Sequence, residues 1–172
     1  MALNVGLFFG STTCYTEMAA EKIQQASQRL NIELFNIKDT PLSHTLTYDV
    51  LILGISTWDF GELQEDWESH WDEISGLDLT DKVVALFGLG DQLGYTDWFQ
   101  DALGMLHDEV VAAGAVVIGH WPNQGYQFTH SKALNEGQTH FVGLSLDEEN
   151  QYELTDSRIA EWIHQLEATL LD

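Results

Sequence analysis

The chain of 172 residues carries 28 acidic against 6 basic side chains, a formal net charge of −22, and is 44% hydrophobic with two prolines. That charge makes nucleic acid and anionic membrane surfaces poor partners and a basic protein a good one, while the apolar content argues for one folded domain over 1–172 and against disorder. The single cysteine, Cys14, excludes an internal disulfide and a thiolate metal cluster built by this chain alone, and no apolar run reaches the roughly 18 residues of a membrane span.

The opening segment MALNVGLFFGS has no basic start and only a short apolar run, so it reads as a first strand and not as a secretory signal; a cytoplasmic monomer is expected. Five nearly continuous apolar runs follow one another at 5–9, 32–36, 50–55, 83–87 and 115–119. Continuity without alternation marks strands buried on both faces. Between most of them apolar residues recur at helical spacing: Met18, Ala19, Ile23, Ala26 and Leu30 within 15–30, then Phe99, Ala102, Leu103, Leu106 and Val110 within 98–113. The last segment carries Ile159, Trp162, Ile163, Leu166 and Leu170 behind Thr155, the predicted N-cap, with Asp156 in the first turn. Alternating strands and helices predict an α/β fold, a parallel sheet with helices on both faces. The stretch HWPNQGYQFTHSKALNEGQTH at 120–140 breaks the rhythm before FVGLSLD resumes a strand pattern. It is long for a connection and reads as an irregular excursion that splits the last strand.

In doubly wound sheets ligands bind at the carboxyl ends of the strands, where strand order reverses. Three loops would meet there. The first, Ser11, Thr12, Thr13, Cys14, Tyr15 and Thr16, offers hydroxyls and the open N–H groups of a helix start, which can hold a phosphate with neutral donors alone. It is not a P-loop, because no Gly-Lys-Ser/Thr follows Gly10, and Leu93 stands where a dinucleotide fingerprint beginning at Gly88 needs glycine. The second loop runs from Ser56 and Thr57 through Trp58, Asp59 and Phe60 to Gly61, and the third from Gly88 through Leu89, Gly90 and Asp91 to Tyr95. Trp58 and Tyr95 are natural faces for a planar ring. A mononucleotide with a large aromatic ring fits all three loops, with its phosphate at the first and its ring between the two aromatics. The seven histidines are scattered without metal-ligand spacing.

FFGSTTCYTE, TWDFGELQEDW, ALFGLGDQLGY, GHWPNQGYQF and FVGLSLDEENQ, in this order, resemble the flavodoxins along essentially the whole chain, and the excursion resembles that of the long-chain subgroup. The resemblance implies a doubly wound five-stranded parallel sheet of order 2-1-3-4-5 and non-covalent FMN. It implies that Ser11 to Thr16 hold the phosphate, that Trp58 and Tyr95 cover the inner and outer ring faces, and that Thr57, Asp59, Gly61, Leu89, Gly90 and Asp91 line the ring. Gln100 and Asp147 match positions near the cofactor in long-chain members. One departure stands out: the usual loop has Gly where this chain has Cys14, and a positive φ there would carry a backbone penalty for cysteine.

Seven acids lie between Trp58 and Ile74 with no Lys or Arg among them, so acidity concentrates at the expected ring edge. Acids there disfavour an anionic reduced flavin and lower its potential. The implied function is a one-electron carrier cycling between semiquinone and hydroquinone. Its acidic patch (Glu62, Glu65, Asp66 and Glu68) would dock an NADPH-dependent flavodoxin/ferredoxin reductase and downstream redox enzymes. The alternatives are an NAD(P)H-dependent quinone or azo reductase on the same fold, which needs a nicotinamide pocket over the ring, and a receiver domain, which needs an acidic pair where Gly10-Ser11-Thr12 stands.

Overall fold

The computed structural model describes residues 2–172. β1 (Leu3–Phe9) is followed by α1 (Tyr15–Ala26), β2 (Leu30–Asn36) and β3 (Val50–Trp58). The chain then folds back through β4 (Glu62–Leu63) into the short helices α2 (Glu65–Ser69) and α3 (Trp71–Ile74). β5 (Val83–Leu89), α4 (Asp101–Ala112) and β6 (Val116–Ile118) come next. The small antiparallel pair β7 (Trp121–Pro122) and β8 (His140–Phe141) precedes β9 (Leu144–Leu146) and α5 (Thr155–Leu171). The main sheet runs β2-β1-β3-β5-β6, the expected five-strand parallel order once the two-residue β4 is counted. The pairing places Leu3 opposite Leu30, Gly6 opposite Leu51 and Val50 opposite Val83.

The inner strands β1, β3 and β5 form where the apolar runs stand because both sheet faces are covered there, whereas the edge strands β2 and β6, expected to be buried on both faces, alternate or stay partly exposed. On one face α1 and α5 supply Ala19, Ile23, Ile159, Trp162 and Ile163, all buried. On the other, Leu51 and Leu53 meet Trp67 of α2, Ile74 of α3 and Leu106 and Val110 of α4. Each such large side chain contributes on the order of 2 kcal/mol by leaving water.

Three local expectations are corrected. The first helix ends at Ala26, not Leu30, because Ser27 turns extended and Leu30 already pairs in β2. The turn is held from a distance: Glu167 of α5 accepts from the Ser27 hydroxyl (2.9 Å) and the Gln28 N–H (3.1 Å). The helix expected from 98 begins at Asp101, since Gln100 is left-handed (φ 61°) and no α-helix runs through such a residue. Thr155 is not the N-cap; it is the first helical residue, buried, and its hydroxyl donates to Glu148 (2.7 Å). No element is predicted between β3 and β5; α2 and α3 connect them, helices of 5 and 4 residues that are too short to show a period in sequence.

The last strand is split as expected. Residues 83–85 of β5 pair with β6 and residues 87–89 with β9. The chain leaves at Gly119 (φ 80°) and returns past Gly143, where a Cβ would sit 2.2 Å from the Leu86 carbonyl oxygen. Between them the excursion builds an aromatic cluster of Tyr126, Phe128 and Phe141 on Phe99. The Tyr126 hydroxyl donates to the Ser145 carbonyl (2.6 Å) and accepts from the Trp121 indole (2.9 Å). Burial pushes its pKa up to about 12, so the donor stays in place, and the Arg158 guanidinium lies 4.3 Å over the ring. Main-chain N–H groups of the excursion reach Gln92 (from Gln127, 2.6 Å), Thr96 (from Thr129, 2.9 Å) and Asp101 (from Lys132, 2.8 Å). Among the described residues no helix is long and apolar enough to cross a membrane, and no group of His, Cys, Asp or Glu is arranged to hold a metal ion.

His120, where the excursion leaves the sheet, faces His107 at 6.4 Å between ring centres. Burial first, then His107 and His140, hold its pKa below the ordinary 6.5. As pH falls through about 6.5 the unfolded chain therefore takes up this proton before the folded one, so stability is full above that pH and declines below it. Urea midpoints measured between about pH 7.5 and 5.5 should fall with acidification, and His120→Gln should flatten that slope.

Candidate functional site

A cleft of about 310 Å³ opens at the carboxyl ends of β1, β3 and β5. Of the residues singled out in sequence, Thr13, Tyr15, Thr16, Ser56, Thr57, Trp58, Asp59, Leu89, Gly90, Asp91 and Tyr95 line it together. Ser11, Thr12, Cys14, Gly61, Gln100 and Asp147 do not.

The first loop is shaped as an anion cradle. Cys14 caps α1 in the left-handed region (φ 70°, ψ −6°) with no side-chain cap bond of its own. Ser11 Oγ accepts from the Glu17 N–H (3.4 Å), and the first-turn N–H groups of Tyr15 and Thr16 remain open. The first intrahelical bond runs from Met18 N–H to the Cys14 carbonyl (2.9 Å). The position that the usual family loop fills with glycine thus has positive φ here, carried by a cysteine. No base lies in the loop, and the next one, Lys22, is paired with Asp156 (2.9 Å). Gln64, fully buried, braces the cradle from outside. Its amide donates to Thr12 Oγ1 (3.0 Å) while its Oε1 accepts from the Asp66 and Trp67 N–H groups and so caps α2.

The second loop is a tight reversal in which Thr57 pairs with Leu63 and Trp58 with Glu62 across Asp59 (φ 43°) and Gly61 (φ 87°). Ser56 Oγ accepts from the Trp58 indole N–H (2.9 Å) and fixes the ring at the cleft wall. Thr57 Oγ1 accepts from the Ala102 N–H (3.0 Å), tying this loop to α4. The tip residue Phe60 is exposed and stands edge-on to Tyr95 at 6.3 Å.

The third loop is held by carboxylates. Asp91 Oδ1 accepts from the Leu93 and Gly94 N–H groups (3.1 and 2.7 Å) and from Asn150 Nδ2 (2.8 Å). Asp147 is fully buried and accepts from Gln92 N and Nε2, from Glu149 and Asn150 N–H and from Asn150 Nδ2. Gln100, also buried, donates to the Gly88 and Leu146 carbonyls (3.1 Å each) and bridges β5 to β9. Both residues stand behind the cleft and set the position of the loop that lines it. Sequence reasoning did not single out Glu148 and Glu149, which complete the cleft rim, nor Gln64, Gln92 and Asn150. The acids Glu148 and Glu149 follow Asp147 directly in DEENQ, a signal that was there to use. With Asp59 and Asp91 they give the cleft four carboxylates and no base.

A cradle of neutral anion donors next to two aromatic walls fits a phosphate joined to a planar ring. The flavodoxin family model matches residues 7–162. The chain belongs to the flavodoxin family. It is 56% identical to Flavodoxin 2 of Escherichia coli (strain K12) over 95% of both chains, and 45% identical to a flavodoxin of Picosynechococcus over 94% of this chain and 95% of that one. Among solved structures, the flavin mononucleotide-bound flavodoxin of Fusobacterium nucleatum superposes with a TM-score of 0.90 at 31% identity, covering 96% of this chain and 98% of that one. Flavodoxins are electron-transfer proteins and not enzymes, which sets the reductase and receiver readings aside.

Replacing Cys14 with glycine should remove the cost of a left-handed L-residue, about 1 kcal/mol, and raise the urea midpoint of the cofactor-free protein. An unchanged or lower midpoint would mean that the loop leaves this conformation when the site is empty.

Proposed function

We propose that this chain is a low-potential one-electron carrier that binds FMN non-covalently and works between the flavin's one-electron and fully reduced levels. One observation carries the reading: a helix start with open N–H groups and hydroxyls, but no base, shares a single cleft with Trp58 and Tyr95. The FMN bound by the Fusobacterium relative supports it. In this reading Ser11, Thr12, Thr13, Tyr15 and Thr16, with the backbone at Cys14, hold the phosphate. Trp58 and Tyr95 cover the ring and exclude water, while Ser56, Thr57, Asp59, Gly61, Leu89, Gly90 and Asp91 border it. Gln100 and Asp147 act through the loops they hold. When bound, FMN supplies a ring that accepts and releases electrons singly.

The side chains set the direction of the potential. Asp59, Asp91, Glu148 and Glu149 at the rim, with Glu62, Glu65 and Glu68 beyond it, oppose negative charge on the ring. One acid about 10 Å away at an effective dielectric near 40 costs roughly 0.8 kcal/mol, or about 35 mV for one electron. With aromatic faces closed over the ring, electrons leave at its edge, beside the exposed acids. The exposed Glu62, Glu65 and Glu68, with the half-buried Asp66, would dock a basic NADPH-dependent reductase and downstream acceptors, with association that slows as salt rises.

Stepwise anaerobic reduction of the flavin-loaded protein tests the carrier directly. A yellow protein that passes through a blue one-electron form is expected; a single two-electron step, or no uptake of FMN, would overturn the reading. Neutralising Glu62, Glu65 and Glu68 as glutamines should raise the potential of the second electron by about 100 mV at low salt. A potential unchanged by the triple substitution would show that these acids serve only solubility.

A further inference from the structure

A second depression lies beside the cleft, a polar groove of about 640 Å³ between the excursion and segment 97–101. Phe60 stands on the ridge between the two, edge-on to Tyr95 at 6.3 Å and to Trp98 at 5.0 Å. The groove lining includes Asp101, only 3% exposed. Its Oδ1 accepts from the Lys132 N–H (2.8 Å), while Oδ2 lies against Gly61, where an added Cβ would come within 2.9 Å. Among the described residues no donor bonds Oδ2 and no cation pairs with Asp101. Burial raises its pKa, against the pull of the Lys132 N–H and of the charges on Lys132 and His130. Oδ2 is not fully enclosed, so water can reach it, and a charged donor entering the groove can take the place of that water beside a largely desolvated carboxylate. Asp97 stands exposed on the rim, and Trp98, Phe60 and Phe128 supply ring faces.

We propose that this groove receives an arginine side chain of the basic redox partner, its guanidinium bridging Asp101 and Asp97 and stacked on Trp98. A guanidinium is planar, donates as a fork to carboxylates and lies flat on aromatic rings; a lysine ammonium does the first only as a point charge and the last poorly. Lys132 and His130 occupy the excursion side, so the cation is drawn to the Asp97–Trp98 side. A second copy of this chain is a poor source, having 6 Lys and Arg, of which Lys22 and Arg29 are ion-paired and Arg158 is committed to Tyr126. An arginine here would touch Phe60 and Gly61, in the loop that carries Trp58, and would register the partner beside the ring edge. The partner's nature rests on the carrier reading; the groove's preference does not.

The test is amide and indole NMR of the FMN-loaded protein titrated with the capped tripeptides Gly-Arg-Gly, Gly-Lys-Gly and Gly-Glu-Gly. The arginine peptide should give saturable shifts at the Gly61 and Lys132 amides and the Trp98 indole, the lysine peptide should bind several-fold more weakly, and the glutamate peptide should do nothing. Asp97→Asn with Asp101→Asn should abolish the shifts while the amide oxygen still accepts from the Lys132 N–H and keeps the fold. No saturable shift, equal response to lysine, or shifts that survive the double substitution would overturn the proposal. The flavin absorption of the same samples reports separately on the carrier reading.

Discussion

In the proposed reading a chain with 28 acids holds an anion in a loop that contains no base. Much of the site's construction answers that constraint. The positive charge comes from backbone geometry: the start of α1, where Ser11 takes up only the Glu17 N–H, presents the N–H groups of Tyr15 and Thr16 and the positive end of the helix dipole. Cys14 turns left-handed to open that end, and Gln64 fills the space behind Gly10, where a Cβ would meet its Oε1, and ties Thr12 to α2. In the proposed reading these devices offset the negative charge of the molecule where the phosphate would sit.

The same economy of cations governs the ring side. The carboxylates there are of two kinds. Asp91 and Asp147 are turned into hydrogen-bond networks that shape the third loop, and Asp147 satisfies its full acceptor capacity without meeting water. Asp59, Glu62 and Glu65 are exposed near the cleft and contribute field and partner attraction. The excursion belongs to the first group in effect: through Gln127 it reaches Gln92, and through Gln92 it reaches Asp147, so a segment remote in sequence helps to hold the loop that carries Tyr95.

The sheet was legible because burial on both faces writes itself as uninterrupted apolar runs, and the three site loops followed from where parallel strands end. What the sequence withheld depends on contacts between distant residues. Nothing local marks Gln100 as left-handed, and Thr155 looks like a cap until Glu148 claims its hydroxyl. Resemblance to the family set Asp147 and Gln100 near the cofactor; in the fold they face Gln92, Asn150 and main-chain carbonyls, and act from behind. The Cys14 position was legible in reverse, since an unusual residue at a glycine site pointed to the positive φ that is there.

The claim on which the account turns is that neutral donors, not a cation, hold the phosphate. Titrating the cofactor-free protein with FMN and with riboflavin, at low and high salt, measures it through quenching of flavin fluorescence. Two charge-assisted hydrogen bonds imply that FMN binds at least about a hundredfold more tightly than riboflavin. Screening of the chain's negative charge implies that FMN binding strengthens as salt rises. Equal affinity for the two flavins, or FMN binding that weakens with salt, would contradict the account.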